Sequence, residues 1–345
     1  MANYLWVKWK NKYLFKIFFK RLNNIKTHEF LSHNKNIIMS KTTSLILFLI
    51  SSLFFVSCGD DEIVVNEPTT IADIAAGDAQ FSTLVGALDR VGLVSVLDGT
   101  GTYTVFAPTN DAFADLGVDL NTLSDEALTD ILLYHVLGAT VRSGDIADGQ
   151  TYVSTASTGS PNGIALSALI EKGTDGVKIN NTATVTAVDI EASNGVIHVI
   201  DKVILPLDIV GHAAANSSFT SLVGALGAAS GDLVSVLSGD GPFTVFAPVN
   251  SAFEAIADVA ATLSADQLTK VLTYHVVSGN VMSSDLTNGM NVSTVNSEMI
   301  QVGVNGSSVT ITDAGGNISN VVLTDVQATN GVIHVLDKVI LPQEL

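Results

Sequence analysis

The sequence predicts an α+β fold laid down twice in tandem. Three observations carry this reading. Long segments recur in the same order: FSTLVGAL at Phe81–Leu88 and FTSLVGAL at Phe219–Leu226, TVFAPTNDAF at Thr104–Phe113 and TVFAPVNSAF at Thr244–Phe253, NGVIHVIDKVILP at Asn194–Pro206 and NGVIHVLDKVILP at Asn330–Pro342. Each copy carries one helical stripe, followed by runs of β-branched residues between Gly, Ser, Thr and Asn turns. A period this long marks a domain pair rather than a solenoid. The copies span 69–206 and 207–342. Asp208 and Ile209 already begin the second, so close packing with restricted motion is expected.

Along copy one, Tyr103–Ala107 reads as a strand that Pro108 ends, with Asn110 capping a short helix around Phe113. LSDEALTDILLYHVL at Leu123–Leu137 reads as a helix. Ser124 is its N-cap, Asp125 and Glu126 complement the dipole, and Leu128, Ile131, Leu132 and His135 form its apolar stripe. In copy two Ser264 and Gln267 have capping-box spacing. Val177–Val188 and Ser308–Val322 alternate as half-exposed strands do. Val196–Ile200 is an apolar run suited to a strand buried on both faces. Asn194-Gly195 and Asn330-Gly331 read as tight turns before that strand, and Asp98–Gly101 and Asp313–Asn317 as hairpin turns.

Charge divides the 345 residues differently. Residues 1–57 hold nine of the 16 basic side chains and one acid, Glu29, whereas 58–345 hold seven bases and 33 of the 34 acids. The acidic part has nothing to neutralise a run of phosphates, so nucleic-acid binding is not expected. The lone cysteine, Cys58, excludes an intramolecular disulfide and a Cys-rich metal centre. It follows an uncharged run, Ser44 to Ser57, that is too short to span a bilayer, with Lys41 and Met39 ahead of it. This arrangement resembles a bacterial lipoprotein signal over 39–57, with Cys58 acylated (palmitate or a similar chain). Phe55 is a departure, because the pattern usually has Leu there. An uncleaved signal anchor is the alternative. Residues 1–38 read as a wrongly assigned start or a basic membrane-touching extension. Residues 58–69 read as an acidic tether, and Asp60, Asp61 and Glu62 resemble the surface-export signal of Bacteroidetes lipoproteins.

TVFAPTN with AF following, then Tyr-His at a helix end, then NGVIHVIDKVILP, resembles the fasciclin-like domain. Both copies carry all three elements. The resemblance implies a β-sandwich or wedge with helices packed along it, and a family tied to cell adhesion and extracellular-matrix contacts. It implies binding positions at Tyr134, His135, Asp189 and Ile190 in copy one, and at Tyr274, His275 and Asp325 in copy two, where Val326 replaces the isoleucine.

Catalysis is the competing reading. His135 and His275 lie on helix stripes, and His198 and His334 inside apolar strands, where histidines are usually buried and hydrogen-bonded. The enzymatic reading pairs His135 with His198, or their copies His275 and His334, because the spacing within each copy suggests that the two approach each other. His212, with Ile74 in the matching place, is expected to be exposed or half-buried. No zinc-protease, EF-hand, Gly-x-Ser-x-Gly, phosphate-loop or dinucleotide pattern occurs. No cofactor and no metal is expected. The function that follows is a non-catalytic, lipid-anchored outer-membrane lipoprotein facing the cell surface. Cys58 would hold it to the membrane, and its partner would be a matrix, cell-surface or polysaccharide ligand. A glycan-capture accessory lipoprotein is the alternative. It is disfavoured because no tryptophan follows Cys58 to stack on a sugar.

Overall fold

The computed structural model describes residues 69–345, which form one compact unit. Cys58, the signal-like run, the extension and most of the tether lie outside the described residues. Copy one begins with α1 (Ile71–Gly77), α2 (Ser82–Arg90) and α3 (Val94–Leu97). Then come β1 (Tyr103–Pro108), α4 (Asn110–Asp115), α5 (Asp125–Tyr134) and β2 (Val136–Leu137). It closes with β3 (Gly149–Ser154), β4 (Ser167–Gly173), β5 (Gly176–Ile179), β6 (Ala183–Ala192) and β7 (Gly195–Ile200).

Copy two repeats the plan with α6 (Ile209–Ala215), α7 (Thr220–Ala228), α8 (Leu233–Leu237) and β8 (Phe243–Pro248). An additional short helix, α10 (Ala257–Ala260), separates α9 (Asn250–Glu254) from α11 (Ala265–Tyr274). The strands are β9 (Val276–Ser278), β10 (Asn291–Ser293), β11 (Met299–Asn305), β12 (Ser308–Thr312), β13 (Ile318–Ala328) and β14 (Gly331–Leu336).

Each copy is one seven-stranded sheet, ordered β2-β1-β7-β6-β5-β4-β3 and β10-β11-β12-β13-β14-β8-β9. All pairs are antiparallel except β1 with β7 and β8 with β14, which run parallel. The two repeated motifs are thus the central pair of each sheet. Their continuous apolar character follows, since both faces are covered. Val105, Ala107, Ile197 and Val199 face the helical core with Leu84, Leu128 and Leu132. Phe106 and Ile200 face the opposite way, into a second core with Ala168, Ile170 and Ile179 from the far strands, so the sheet curls over itself.

The helix expected over Leu123–Leu137 is shorter. Ser124 caps it, accepting from Ala127 N, but it ends at Tyr134 and the chain turns directly into β2. The capping box of Ser264 and Gln267 is present. Thr109, not Asn110, caps α4. Asn110 instead accepts from Thr83 N at 2.9 Å and donates to Ala79 O at 2.9 Å, tying α4 to α2. Asp313–Asn317 forms the β12–β13 hairpin turn, whereas Asp98–Gly101 simply leads from α3 into β1. At Gly195, φ is +151° and a Cβ would lie 2.0 Å from Tyr103 O, so only glycine fits where the parallel pair starts.

Polar groups bridge the joint between copies, where Tyr152 also packs against the copy-two core. Gln327 N donates to Ser167 Oγ at 2.9 Å, Asn216 Nδ2 to Tyr152 Oη at 3.1 Å, and Asn162 Nδ2 to Asn280 O at 3.1 Å. His212 lies here, fully buried, with the Tyr152 ring edge-on at 5.6 Å. This corrects the expectation of an exposed or half-buried residue. Amphipathic spacing on α6 does not register that copy one covers its outer side.

Candidate functional site

The Tyr-His pair ends α5 and α11, where the chain dives between helices and sheet. Tyr134 and Tyr274 have no exposed surface. Tyr134 Oη donates to Ser167 O at 2.7 Å and accepts from Asn180 Nδ2 at 3.0 Å. Tyr274 Oη donates to Met299 O and accepts from Ala314 N. Burial raises both phenols above their usual range, so they stay protonated.

His135 Nδ1 lies 2.7 Å from Ile131 O, and Nε2 accepts from Ile204 N at 3.1 Å. These partners require the Nδ1–H tautomer. His275 repeats the arrangement with Val271 O and Ile340 N. Burial pushes both histidines down to about 4, so they are neutral at pH 7. With both nitrogens committed to backbone, neither is free to move a proton. The pair pins the end of its helix to the chain leaving the last strand.

The Asp positions form a second corner. β6 bulges between Ala187 and Ile190, and Asp189 adopts φ +57° there. Its carboxylate accepts from Ser143 N at 2.8 Å and from Ser143 Oγ. Those bonds hold it below the usual carboxylate range. Its own N–H donates to His198 Nδ1 at 3.3 Å, so His198 donates from Nε2 to Val141 O at 2.9 Å. His198 therefore carries the opposite tautomer to His135. In copy two Asp325 (φ +64°), Ser283, His334 and Val281 repeat every contact.

Ile190 is half-buried against the helical core, and Val326 is buried. The implied binding positions are thus a buried pair and a strained, internally bonded turn. In this arrangement Tyr134, His135, Tyr274 and His275 cannot touch a partner directly. The structure brings Asp189 to His198 and Tyr134 to Asn180; it gives His135 and His198 separate backbone partners.

Sequence reasoning missed the serines. Ser143 and Ser283 recur at the offset of the Tyr-His pair, and that recurrence was the available signal. It also missed Asn194 and Asn330 as ties. Asn194 Oδ1 accepts from Ile71 N, while Nδ2 donates to Leu97 O and Gly99 O, locking the first and third helices to the sheet. Asn330 does the same with Ile209, Leu237 and Gly239. Among the described residues no group of three His, Cys, Asp or Glu could hold a metal ion, and no helix is long and apolar enough to cross a membrane.

The Fasciclin domain model matches residues 79–206 and 217–342. Protein sll1483 of Synechocystis sp. is 43% identical over 142 residues, which cover 40% of this chain and 73% of that protein. Transforming growth factor-beta-induced protein ig-h3 of Sus scrofa is 32% identical over 257 residues, 71% of this chain but only 35% of the pig protein. A solved domain pair from the insect cell adhesion molecule Fasciclin I covers 75% of this chain and 93% of that one, at 20% identity and a TM-score of 0.45. Fasciclin domains occur in adhesion proteins, and these relatives bear no enzyme's name. Both motif-bearing halves match the same family model over most of the chain, which therefore belongs to the Fasciclin domain family.

Proposed function

We propose that this protein is a non-catalytic binding module, held to the outer membrane by acylated Cys58, with its two domains facing outward to engage a matrix, cell-surface or polysaccharide partner. One observation carries the reading: a signal-like apolar run ending at a lone cysteine stands directly ahead of an acidic leash and a tandem Fasciclin pair. The commitment of all four motif histidines to backbone partners supports a module that binds rather than reacts.

Protease shaving of intact cells, with a periplasmic lipoprotein as control, tests the orientation. Cleavage while the control survives is the expected result; protection equal to the control overturns the outward-facing assignment. Cys58→Ser is expected to move the protein from the membrane to the soluble fraction. Retention in the membrane would favour the uncleaved anchor. Calorimetry of the whole protein against a polysaccharide panel separates glycan capture from adhesion to cells or matrix.

A further inference from the structure

The two copies differ in a hairpin that each places against its exit segment. In copy two the hairpin runs past the Ile311–Ser319 pair to a further pair, Thr312 with Ile318, and turns through residues 313–317. In copy one, Ile179 pairs with Ala183, leaving only 180–182. The longer hairpin folds back over the chain leaving β14. There the buried Asp313 carboxylate accepts from Leu341 N at 3.2 Å, and Leu341 packs, like Ile256, against the small core of Ala252, Val271 and Val339. Lys338 closes the edge by donating from Nζ to Ile318 O at 2.9 Å.

Copy one keeps the same exit sequence but lacks the hairpin tip. A cleft of about 500 Å³ stands there, within the range of small-molecule sites. Its floor carries apolar side chains from Ala112, Leu116, Val203 and Leu207 beside the polar Asn180 and Thr182. Leu205, the counterpart of Leu341, is 44% exposed, and among the described residues nothing accepts from its N–H. Lys202, the counterpart of Lys338, lines the cleft without an ion pair or hydrogen bond to any described residue. Asp115 also lines it, where copy two has Ala255.

We propose that this cleft binds a small aliphatic monocarboxylate, whose carboxylate takes the place that the Asp313 side chain fills in copy two. The cleft offers an unpaired backbone N–H and an ammonium, whose counterparts in copy two have acceptors of their own, the Asp313 carboxylate and Ile318 O. Charge-assisted bonds to a carboxylate satisfy both groups. The aliphatic body covers the floor, and the Asp115 charge opposes a second carboxylate on the ligand. Adhesion by the outer faces plays no part in this assignment.

The test is calorimetric titration of the whole protein in detergent with 4-methylpentanoic acid, its neutral amide, and methylsuccinate as the dianion. The acid is expected to bind one site with Kd on the order of 1 mM, and the amide and dianion about tenfold more weakly. Lys202→Gln is expected to weaken the acid about tenfold and Lys202→Arg to restore it to within about threefold. Lys338→Gln, in copy two, is expected to change nothing. Lys202 is exposed and unpartnered, so the Lys202 variants should keep the wild-type melting temperature. Equal binding of acid and amide, no saturation by about 10 mM, or equal losses from the Lys202 and Lys338 variants would overturn the proposal.

Discussion

Copies one and two build the same corner and use it differently. In both, a left-handed Asp accepts from a Ser backbone and hydroxyl and donates to a strand His. In copy one the corner faces solvent, and its neighbours are Arg142 and Glu191, paired at 2.8 Å. In copy two the matching residues are Met282 and Gln327. The Gln327 amide donates to Met282 Sδ and its backbone N–H to Ser167 of copy one. The scaffold is common because it is internally bonded. What surrounds it changes with whether water or the other domain lies outside: a charge pair stays hydrated, while neutral groups can be covered without stranding a charge.

The sharpest way to break the comparison is at the parallel strand pair. Gly195→Ala puts a Cβ 2.0 Å from Tyr103 O at φ +151°. It is expected to destabilise copy one by about 3–4 kcal/mol. Gly331→Ala meets Phe243 O at the same distance and should do likewise to copy two. Scanning calorimetry of both variants checks this. Two separable transitions mean the copies unfold independently, and one shared transition means the joint couples them.

His212 gives the next largest effect, and it is pH-dependent. Burial lowers it to about 4, against the opposing pull of the Gln327 backbone and the Asp208 charge, and neither ring nitrogen has a partner in hydrogen-bond geometry. When the joint opens or unfolds, the ring returns to about 6.5. The folded state favours the neutral ring, so its stability is complete above that value and falls as pH drops from about 6.5 towards 4. The loss is on the order of 2–3 kcal/mol. Ile74 stands in the matching place of copy one, so His212→Ile suits the site. Urea denaturation at pH 7 and pH 4 should show the variant about 1 kcal/mol more stable at pH 7. It should also lose less than wild type on acidification. An identical pH dependence would remove His212 as the cause.

Smaller effects sharpen the joint itself. Ser167→Ala leaves the buried Gln327 N–H without its acceptor. It is expected to cost about 1–2 kcal/mol, read as faster amide exchange along β13 and β4. Arg142→Ala removes a pair whose side chains are 53% and 56% exposed. It should cost under about 1 kcal/mol, less at high salt. A larger cost in a melting series would mean the charge pair supports the bulge.

Much of this was legible in the chain. The repeat, the caps at Ser124 and Ser264, and the double-sided burial of Val196–Ile200 were all readable, because each depends on spacing within one segment. The implied binding positions were legible as residues but not as surroundings. The resemblance implies binding at Tyr134 and Asp189, but only the fold shows the sheet closing over Tyr134 and Ser143 reaching Asp189 from 46 residues away.

By itself the sequence determined that two copies of one α+β domain follow each other, and where the apolar faces of its main helix and central strands lie. Tertiary structure decided who their neighbours are. It set the parallel pairing of β1 with β7, the opposite tautomers of His135 and His198, the burial of His212 at the joint, and the cleft left by a hairpin four residues shorter. Periodicity encodes the direction a side chain faces relative to its own helix or strand. The partner met in that direction comes from chain that is distant in sequence, and no local pattern records it.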